Sequence, residues 1–521
     1  MALAKDIYRA FEDVVGPENI AEDPAVLDSY AWRSGLVAKT DKFVPRFEAV
    51  TLPRDTAEVQ AIVRLCNKYR LQFKASSTGW GPYCDPTGPG VIKLDLRRMN
   101  RIIEINEKNM YAVVEPYVIY AQLQAELMKR GLNTNITGAG SNCSALPLAA
   151  HSNLGHLSVS GSYGERNQLA LEWVTPDGEI VRTGSLATLG EWFCGDGPGP
   201  SLRGVIRGNT VPLGGLGVYT RAAQKIYHWP GPATFPVEGV SPHYKPGYVP
   251  PGFMIRYLSF PSQEKLREAA RRVGESEIAF TLMGFNTAMM ASNIATNNDE
   301  DAEYLRLYTD LVQGPGFMII IAGNSPGDFA YKKKVLEKIA SETNGKALEP
   351  VEDPENAGGF IWRFIRVTGS IRETCRATGV FGGEVGGTDV FNLMSKFIEQ
   401  GSKVKEGFIQ KGLLFADGTD PFVQLIEHGH CGHGELLIRY VPSNPAAVQA
   451  SFEVFMAANR TAVEGHYGVP HHVWSDAICD MYTPDTSNYT KWLRNIKKTF
   501  DPQSVSEASH YVTPEKQSDQ P

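Results

Sequence analysis

The stretch SSTGWGPYC, residues 76–84, decides the fold because it places small and hydroxylated residues directly after a predicted strand. Such a loop exposes backbone N–H groups and hydroxyls without side-chain bulk, so it forms a concavity suited to a pyrophosphate. Three more glycine-bearing segments follow it: TGAGSNCSALPLAAHSNLG (137–155), GSYGERN (161–167) and PLGGLGVYT (212–220). Any one of them could be only a turn, but four in this order indicate a nucleotide site.

The two commonest nucleotide motifs are missing from the sequence. There is no GxxxxGK[ST], and no GxGxxG lies between a predicted strand and a predicted helix. Because GGLGVYT leads into a strand instead of a helix, the four segments do not predict a Rossmann sheet.

Strands and helices alternate in the first third of the chain. The apolar spacing in residues 53–71 predicts a helix that Asp55 or Thr56 would cap. Two alternating runs in residues 169–185 flank the turn Pro176-Asp177-Gly178, which predicts a hairpin.

A domain boundary is expected near residues 231–251, where six prolines fall within 21 residues. Beyond it, strands recur with longer amphipathic helices, for example in residues 317–343 and 435–463. This second pattern favours a mixed sheet with helices on one face.

The composition limits the partners. The net charge of −7 argues against a nucleic acid or an anionic membrane surface, because both need a basic footprint. The longest purely apolar run, residues 317–322, is too short to span a bilayer. Seven cysteines without a CxxC pair argue against an iron–sulfur cluster, and the N-terminus lacks the apolar core of a secretion signal. We therefore expect a cytoplasmic protein.

STGWG, VIKLDLRRMNRIIEINEKNMYAVVEP (91–116), WVTPDGEIVRTG and GGLGVYT together resemble the vanillyl-alcohol oxidase / p-cresol methylhydroxylase superfamily of flavoproteins. The resemblance implies an α+β fold, in which a two-subdomain FAD-binding domain of the p-cresol methylhydroxylase type carries a ferredoxin-like α+β cap. It further implies that residues 1–235 begin the FAD-binding domain, residues 236–464 form the cap and residues 465–521 return to the FAD-binding domain.

The chain end is similar to the superfamily's C-terminal signature in KKTFDPQSV (497–505). It departs from that signature after residue 505, because the usual glycine is replaced by the sequence EASHY at residues 507–511. The sequence alone does not explain this departure.

The resemblance also implies the cofactor and the residues that hold it. The first loop, residues 76–81, would hold the FAD pyrophosphate, and the later glycine segments would line the rest of the cofactor. The residues implied are Ser76, Ser77, Thr78, Gly79, Trp80, Gly81, Ser141, Ser144, Leu148, His151, Gly155, Gly217 and Val218.

We expect the FAD to be non-covalent. Trp80 stands where histidine-linked members of the superfamily often carry histidine, and Phe381 lies near the position of the tyrosine in tyrosine-linked members. Cys143 lies in NCSALPLAAH, which is similar to the cysteinyl-flavin segment of the berberine-bridge branch, but a small buried cysteine explains it as well.

The candidates for catalysis are mostly histidines. EHGHCGHGELLIRY (427–440) is similar to the GHxGDGNLH segment of the 2-hydroxy-acid dehydrogenase branch. His430 matches the first histidine of that segment, His433 replaces its aspartate, and Leu437 replaces its second histidine. If this stretch were a regular strand, alternation would place His428 and His430 on one face.

In one interpretation, these histidines bind a divalent metal such as zinc. His430, His433 and Glu464 would be its ligands, although the branch has a further ligand that this chain lacks. In the alternative interpretation, His430 or His433 is the base that takes a hydroxyl proton, and Arg439 pairs with a substrate carboxylate. The other reading of Arg439 is a solvated charge on a strand.

The 4-alkylphenol branch is the second possible relative. Its catalytic aspartate should fall near Gly155 and its phenolate-binding arginine near Pro470, so both are missing here. Among the remaining candidates, only His156, His471 and His472 could offer hydrogen bonds to a phenolate.

The leading prediction is therefore an FAD-dependent dehydrogenase or oxidase that takes a hydride from a hydroxylated carbon of a small, sometimes carboxylated substrate. The first alternative is oxidation of a 4-alkylphenol through a quinone methide, and the second is a flavin subunit that relays electrons in a larger complex. A partner protein, a quinone or oxygen would accept the electrons. We expect a homo-oligomer or a complex subunit.

Overall fold

The computed structural model describes residues 3–31, 45–79, 84–151, 154–162, 164–208, 212–239, 247–367, 376, 384–416, 422–467, 469–470, 475–508 and 510–515. Several residues named above lie outside these ranges: Trp80, Gly81, Phe381, His471, His472 and the side chain of Leu148.

The first sheet has the strand order β1-β2-β4-β3, and β2, β4 and β3 run parallel. Its elements are α1 (Lys5–Val15), β1 (Ile20–Ala21), α2 (Pro24–Tyr30), β2 (Ala49–Thr51), α3 (Thr56–Tyr69), β3 (Gln72–Ser76) and β4 (Val91–Asp95). The N-cap of α3 is Asp55, one of the two residues predicted for that position. Its side chain accepts a hydrogen bond from the Glu58 N–H. The apolar face of α3 packs onto Phe73 and Leu94 of the sheet.

The second sheet is antiparallel, with the order β5-β6-β10-β8-β9. Its region contains β5 (Ile102–Asn106), β6 (Tyr111–Val114), α4 (Tyr120–Met128), β7 (Leu132–Asn133), α5 (Ala145–Ala150), β8 (Gln168–Val174), β9 (Ile180–Arg182), α6 (Ser185–Leu189), β10 (Val218–Lys225) and β11 (Tyr227–His228). The predicted hairpin is confirmed, since β8 and β9 pair around a turn in which Gly178 has φ +83°.

The third sheet lies beyond the proline-rich stretch and has the order β13-β14-β12-β15. Its region contains β12 (Phe253–Ser259), α7 (Gln263–Glu275), β13 (Thr281–Gly284), α8 (Thr287–Ile294), α9 (Asn298–Leu311), β14 (Gly316–Ala322), α10 (Pro326–Thr343), β15 (Lys346–Ala347), α11 (Glu349–Glu352) and α12 (Pro354–Val367). All of its strand pairs are antiparallel.

The fourth sheet repeats this arrangement, with the order β17-β18-β16-β19. Its elements are β16 (Glu384–Asp389), α13 (Phe391–Gln410), β17 (Phe422–Ile426), β18 (Cys431–Leu437), α14 (Pro445–Gly465) and β19 (Val469–Pro470), and α15 (Ser475–Tyr482) and α16 (Tyr489–Phe500) follow. If the four strands of each sheet are numbered along the chain, both the third and the fourth sheet have the spatial order 4-1-3-2. The predicted mixed sheet is wrong, because every described strand pair in both sheets is antiparallel.

The fourth sheet has one face toward helices and one toward the N-terminal half. Leu436 and Ile438 pack with residues of α13 and α14, whereas Leu437 joins a core that includes Leu154 and Trp229. Side chains alternate along a strand, so His433 and Glu435 share the Leu437 face. We call this side the inner face. Within the described ranges, no helix is long and apolar enough to cross a membrane.

Candidate active site

The first loop meets the second glycine segment at Thr78. The Thr78 N–H donates to Ser144 Oγ at 3.3 Å, and the two hydroxyl oxygens lie 3.2 Å apart. Gly79 has φ +70°, and a Cβ built on it would have no atom of a described residue within 4 Å. A pyrophosphate site at this loop, which would need such space beside the backbone, stays a prediction.

Helix α5 leads from Ser144 to His151, where a bridge joins His151 to Gly208. Gly208 also has a positive φ, +119°, and no atom of the described part of the chain lies within 4 Å of its Cβ position. Helix α5 packs against β10, the strand that carries Gln224. These elements form one wall of the candidate cofactor site.

Two buried glutamines have side-chain amide atoms that no described residue satisfies. Gln168 and Gln224 are cross-strand neighbours on β8 and β10, and each is 2% exposed. Among the described residues, both amide atoms of Gln168 and Nε2 of Gln224 have no hydrogen-bond partner. Buried polar groups are normally paired, so these atoms fit a ligand rich in hydrogen-bonding groups, such as FAD.

Gly155 is required by close packing. A Cβ at this position would lie 2.2 Å from Asn135 Oδ1 and 2.7 Å from the Ile136 carbonyl oxygen. Asn135 is itself fixed, because Oδ1 accepts from the Leu157 N–H at 2.8 Å and Nδ2 donates to Ser158 Oγ at 3.1 Å. The catalytic aspartate of the 4-alkylphenol branch therefore has no room at Gly155.

His156 is a structural residue. It is fully buried, and burial lowers its pKa to about 3. Its Nδ1 accepts a hydrogen bond from the Ile136 N–H at 3.2 Å. A neutral, enclosed imidazole cannot supply the positive hydrogen-bond donor that we considered for a phenolate.

Gly217 and Val218 lie in the core. A Cβ on Gly217 would come within 2.2 Å of the Val174 carbonyl oxygen, and Val218 packs with Phe73 and Val505. These contacts show why the segment is small at Gly217, and they do not require a cofactor. Ser76 is buried, Ser77 and Ser141 are half-buried, and Ser144 is buried.

Cys143 is buried among the side chains of the core that includes Tyr120 and Leu146. The cysteines within the described ranges are all free of disulfide bonds: Cys66, Cys84, Cys143, Cys194, Cys431 and Cys479.

The inner face of the fourth sheet carries a polar row. Register places His433 of β18 between Thr388 of β16 and Gln424 of β17. His433 is fully buried, with Nδ1 at 3.0 Å from Thr388 Oγ1 and Nε2 at 2.8 Å from Glu435 Oε1. A histidine and a carboxylate in direct contact can accept or release a proton as a coupled pair.

This polar row faces the predicted flavin segment. Gln424 Nε2 donates to the Gly155 carbonyl oxygen at 3.0 Å, and the Glu427 N–H donates to the Ser158 carbonyl oxygen at 2.8 Å. From the third sheet, Thr281 Oγ1 donates to the His156 carbonyl oxygen at 2.9 Å. Both sheets are thus fixed over residues 155–158. No sequence pattern indicates Thr388, Gln424 or Glu435 as site residues, because only the strand register brings them together.

The expected alternation of His428 and His430 is wrong. Residues 427–430 form the turn between β17 and β18, and His428 has φ +57°. His430 is exposed in this turn, whereas His433 is buried on the strand.

The three expected metal ligands are not brought together. His433 engages Thr388 and Glu435, His430 is exposed, and Glu464 is exposed near the end of α14. Among the described residues, no group of three or more His, Cys, Asp or Glu side chains could hold a metal.

Arg439 lies just after β18 and is 5% exposed, so the reading of a solvated strand charge is wrong. Its Nη2 donates to the Ala416 carbonyl oxygen at 2.7 Å. Arg376 Nη1 lies 3.7 Å from Asp301 Oδ2. Burial raises the pKa of Asp301, while the charges of Arg376 and Arg439 oppose that rise.

The chain is similar to known proteins in both sequence and fold. Residues 47–184 match the family described as "FAD binding domain". A probable mitochondrial D-lactate dehydrogenase of Danio rerio is 27% identical over 89% of this chain and 83% of its own length. The 1'-carboxy-chondrochloren decarboxylase of Chondromyces crocatus is 31% identical over 41% of this chain, and the chain covers only 38% of that protein.

Two solved structures share the fold over nearly the whole chain. The 4-ethylphenol oxidase of Gulosibacter chungangensis has a TM-score of 0.73 at 18% identity and covers 98% of both chains. The p-cresol methylhydroxylase has a TM-score of 0.72 at 16% identity and covers 97% of this chain and 96% of its own. The chain therefore has the p-cresol methylhydroxylase fold, and its residues 47–184 match an FAD binding domain.

Proposed function

We propose that this protein is an FAD-dependent dehydrogenase or oxidase that removes a hydride from a hydroxylated carbon of a small organic substrate, with 2-hydroxy acids as the first class to test. The observation that carries the proposal is the His433–Glu435 pair on the inner face, next to a glutamine that holds Gly155. The similarity to D-lactate dehydrogenases along most of the chain supports the substrate class.

The cofactor would be held without a covalent bond. The backbone N–H groups of residues 76–79 and the Ser144 hydroxyl would bind the pyrophosphate, and the amides of Gln168 and Gln224 would meet polar edges of the ligand. Bound FAD supplies the hydride acceptor. Burial of Cys143 within an apolar core supports a structural role for this side chain.

His433 and Glu435 would handle the substrate's hydroxyl proton, which would reach Nδ1 of His433 by way of the Thr388 hydroxyl, because Glu435 holds Nε2. The carboxylate orients the imidazole through the 2.8 Å hydrogen bond and stabilises the charge that a proton would bring. Both groups are almost fully buried, so water is excluded and each hydrogen bond is stronger than it would be in solvent. His430, in the exposed turn, becomes the weaker candidate for the base.

A carboxylate on the substrate would be attracted by the cations beyond β18. Arg439 and Arg376 both act on the carboxylate of Asp301, so two cations lie near one anion here. This charge balance supports carboxylated substrates over neutral ones, although Arg439 also holds the Ala416 carbonyl oxygen.

Oxidation of a 4-alkylphenol is the second candidate, and the fold favours it. The similar structures are a 4-ethylphenol oxidase in complex with isoeugenol and a p-cresol methylhydroxylase with substrate bound. The close packing at Gly155 and the neutral, buried His156 weigh against it here.

We further propose a division into a flavin domain and a cap. The strand orders of the third and fourth sheets are those of two ferredoxin-like units, which supports the cap assignment for the region that begins after residue 235. Because β19 pairs with β16, the cap would extend to Pro470, beyond the boundary expected at residue 464. Oligomeric state, electron acceptor and cytoplasmic location stay predictions.

Anaerobic substrate screening tests the proposal. The FAD-loaded protein should lose its visible flavin absorbance with a 2-hydroxy acid and keep it with 4-alkylphenols. Bleaching by 4-alkylphenols alone would select the second candidate. Bleaching only by a reduced partner protein would indicate an electron-relay subunit and contradict both.

A further inference from the structure

The C-terminal strap, residues 497–507, returns to the strand that leads into the first loop. Gln72 Nε2 donates to the Ser504 carbonyl oxygen at 2.9 Å, and the Phe73 N–H donates to the Val505 carbonyl oxygen at 2.8 Å. The Glu507 N–H then donates to the Phe73 carbonyl oxygen at 3.0 Å. The strap thus adds a short extended segment beside β3.

Glu507 joins the two stems of the first loop. Its Oε2 lies 3.1 Å from Lys74 Nζ, and the side chains of Lys74 and Glu507 are 0% and 2% exposed. Its Oε1 accepts hydrogen bonds from Thr87 Oγ1 at 2.7 Å and from the Thr87 N–H at 3.1 Å. Lys74 precedes Ser76 by two residues, and Thr87 follows the loop, so one carboxylate holds both ends.

A second buried pair fixes the strap to the fourth glycine segment. Lys497 Nζ lies 2.5 Å from Asp501 Oδ2 and donates to the Gly215 carbonyl oxygen at 2.8 Å. Ser506 Oγ accepts from the Gly217 N–H at 2.8 Å and donates to the Gly214 carbonyl oxygen at 2.9 Å. The strap is therefore held in place independently of Glu507.

From these contacts we propose that Glu507 is a positioning residue for the phosphate-binding loop, and that the C-terminal strap controls how tightly FAD is retained. The inference rests on the proposed flavin site. A loop whose stems are fixed in advance loses less conformational freedom when it binds an anion.

The cost of breaking this contact is large. Removing one partner of a buried ion pair leaves an uncompensated charge, whereas an exposed pair contributes little. Glu507→Gln keeps the shape and one acceptor for Thr87 but loses the charge. Glu515→Gln is the matched control, because Glu515 is exposed in the same C-terminal stretch.

The test is a titration of each purified apo-protein with FAD, followed by flavin fluorescence, at a temperature where circular dichroism shows the variant folded. We expect Glu507→Gln to raise the Kd for FAD about tenfold, a change of about 1.4 kcal/mol, and Glu515→Gln to leave it unchanged. Amide hydrogen exchange at residues 76–79 should also become faster in Glu507→Gln alone.

A folded Glu507→Gln protein with the wild-type Kd would overturn the inference and leave the pair a purely structural contact. If Glu507→Gln does not fold, Thr87→Val decides, because it removes only one hydroxyl at a loop stem. We expect it to raise the Kd several-fold, and an unchanged Kd would again overturn the inference. Failure of the wild-type protein to bind FAD would instead contradict the proposed function.

Discussion

The first loop and the histidine segment of residues 427–437 are both rich in glycine, but their glycines serve different purposes. No atom of a described residue lies within 4 Å of a Cβ built on Gly79, so its lack of a side chain leaves room for a ligand. Gly432 and Gly434 instead face α13, where a Cβ would come within 2.9 Å of Phe391 Cα and 2.6 Å of Ile398 Cγ1. In the first loop, glycine leaves room for a ligand beside the backbone. In the histidine segment, glycine allows α13 to pack closely on β18.

The two roles of glycine also place the polar groups of the two regions differently. In the first loop the polar groups are the backbone and the hydroxyls themselves. In the histidine segment the glycines bring α13 against one face of β18, and His433 and Glu435 occupy the inner face. On β18, Gly432 and Gly434 therefore alternate with His433 because one face packs on α13 and the other is polar, whereas His428 and Gly429 lie in the preceding turn.

The largest expected effect separates the two histidines. His433→Gln should slow anaerobic flavin reduction by about 100-fold, because a positioned general base contributes at least that much. His430→Gln, in the exposed turn, should stay within about twofold of wild type. Stopped-flow absorbance of the FAD-loaded variants measures both rates, and a larger loss in His430→Gln would reverse the assignment.

The packing role of glycine in β18 can be measured as stability. Gly432→Ala should lower the free energy of unfolding by about 1–3 kcal/mol, because the added methyl group meets backbone atoms of α13. Gly88→Ala, beside the first loop, places its methyl group where no described residue beyond its chain neighbours lies within 4 Å and should change the free energy by less than about 0.5 kcal/mol. Urea denaturation gives both values, and equal losses would contradict the distinction.

A pH dependence is expected at Glu165, in the third glycine segment (161–167), which contacts the histidine segment through Arg166 and Glu427. Burial raises the pKa of Glu165 from 4.5 to about 7, and the charge of Glu427 adds to the rise. Between these two pH values the folded protein binds the proton and the unfolded chain does not, so stability should fall as the pH rises from about 4.5 to 7.

Glu165→Gln should flatten this part of the stability curve, whereas the exposed Glu179→Gln should keep the wild-type shape. Thermal unfolding at several pH values checks the difference. A wild-type slope retained in Glu165→Gln would show that another group is responsible.

The smallest expected effect concerns the first loop. Ser144→Ala removes the hydroxyl that meets Thr78, so the Kd for FAD should rise about three- to tenfold, as expected for one hydrogen bond. Ser160→Ala, at an exposed position, is the control. Identical FAD titrations for the two variants would remove Ser144 from the cofactor site.

Local chemistry explains what the sequence could predict. The cap of α3 at Asp55, the hairpin turn at Gly178 and the small residues of the first loop all follow from neighbouring residues. The histidine segment was harder to predict, because Glu427 and His428 adopt positive φ values, and these end the expected strand alternation. Lys74 and Glu507 meet across 433 positions of the chain, a contact that no local pattern indicates.

The most direct test of the central claim is a deuterium isotope effect on anaerobic flavin reduction. A 2-hydroxy acid deuterated at its hydroxylated carbon should bleach the FAD-loaded protein several-fold more slowly than the protiated acid, because that C–H bond breaks in the hydride transfer. Equal bleaching rates for the two acids in a step limited by chemistry, or no bleaching by any hydroxylated substrate, would contradict the proposed reaction.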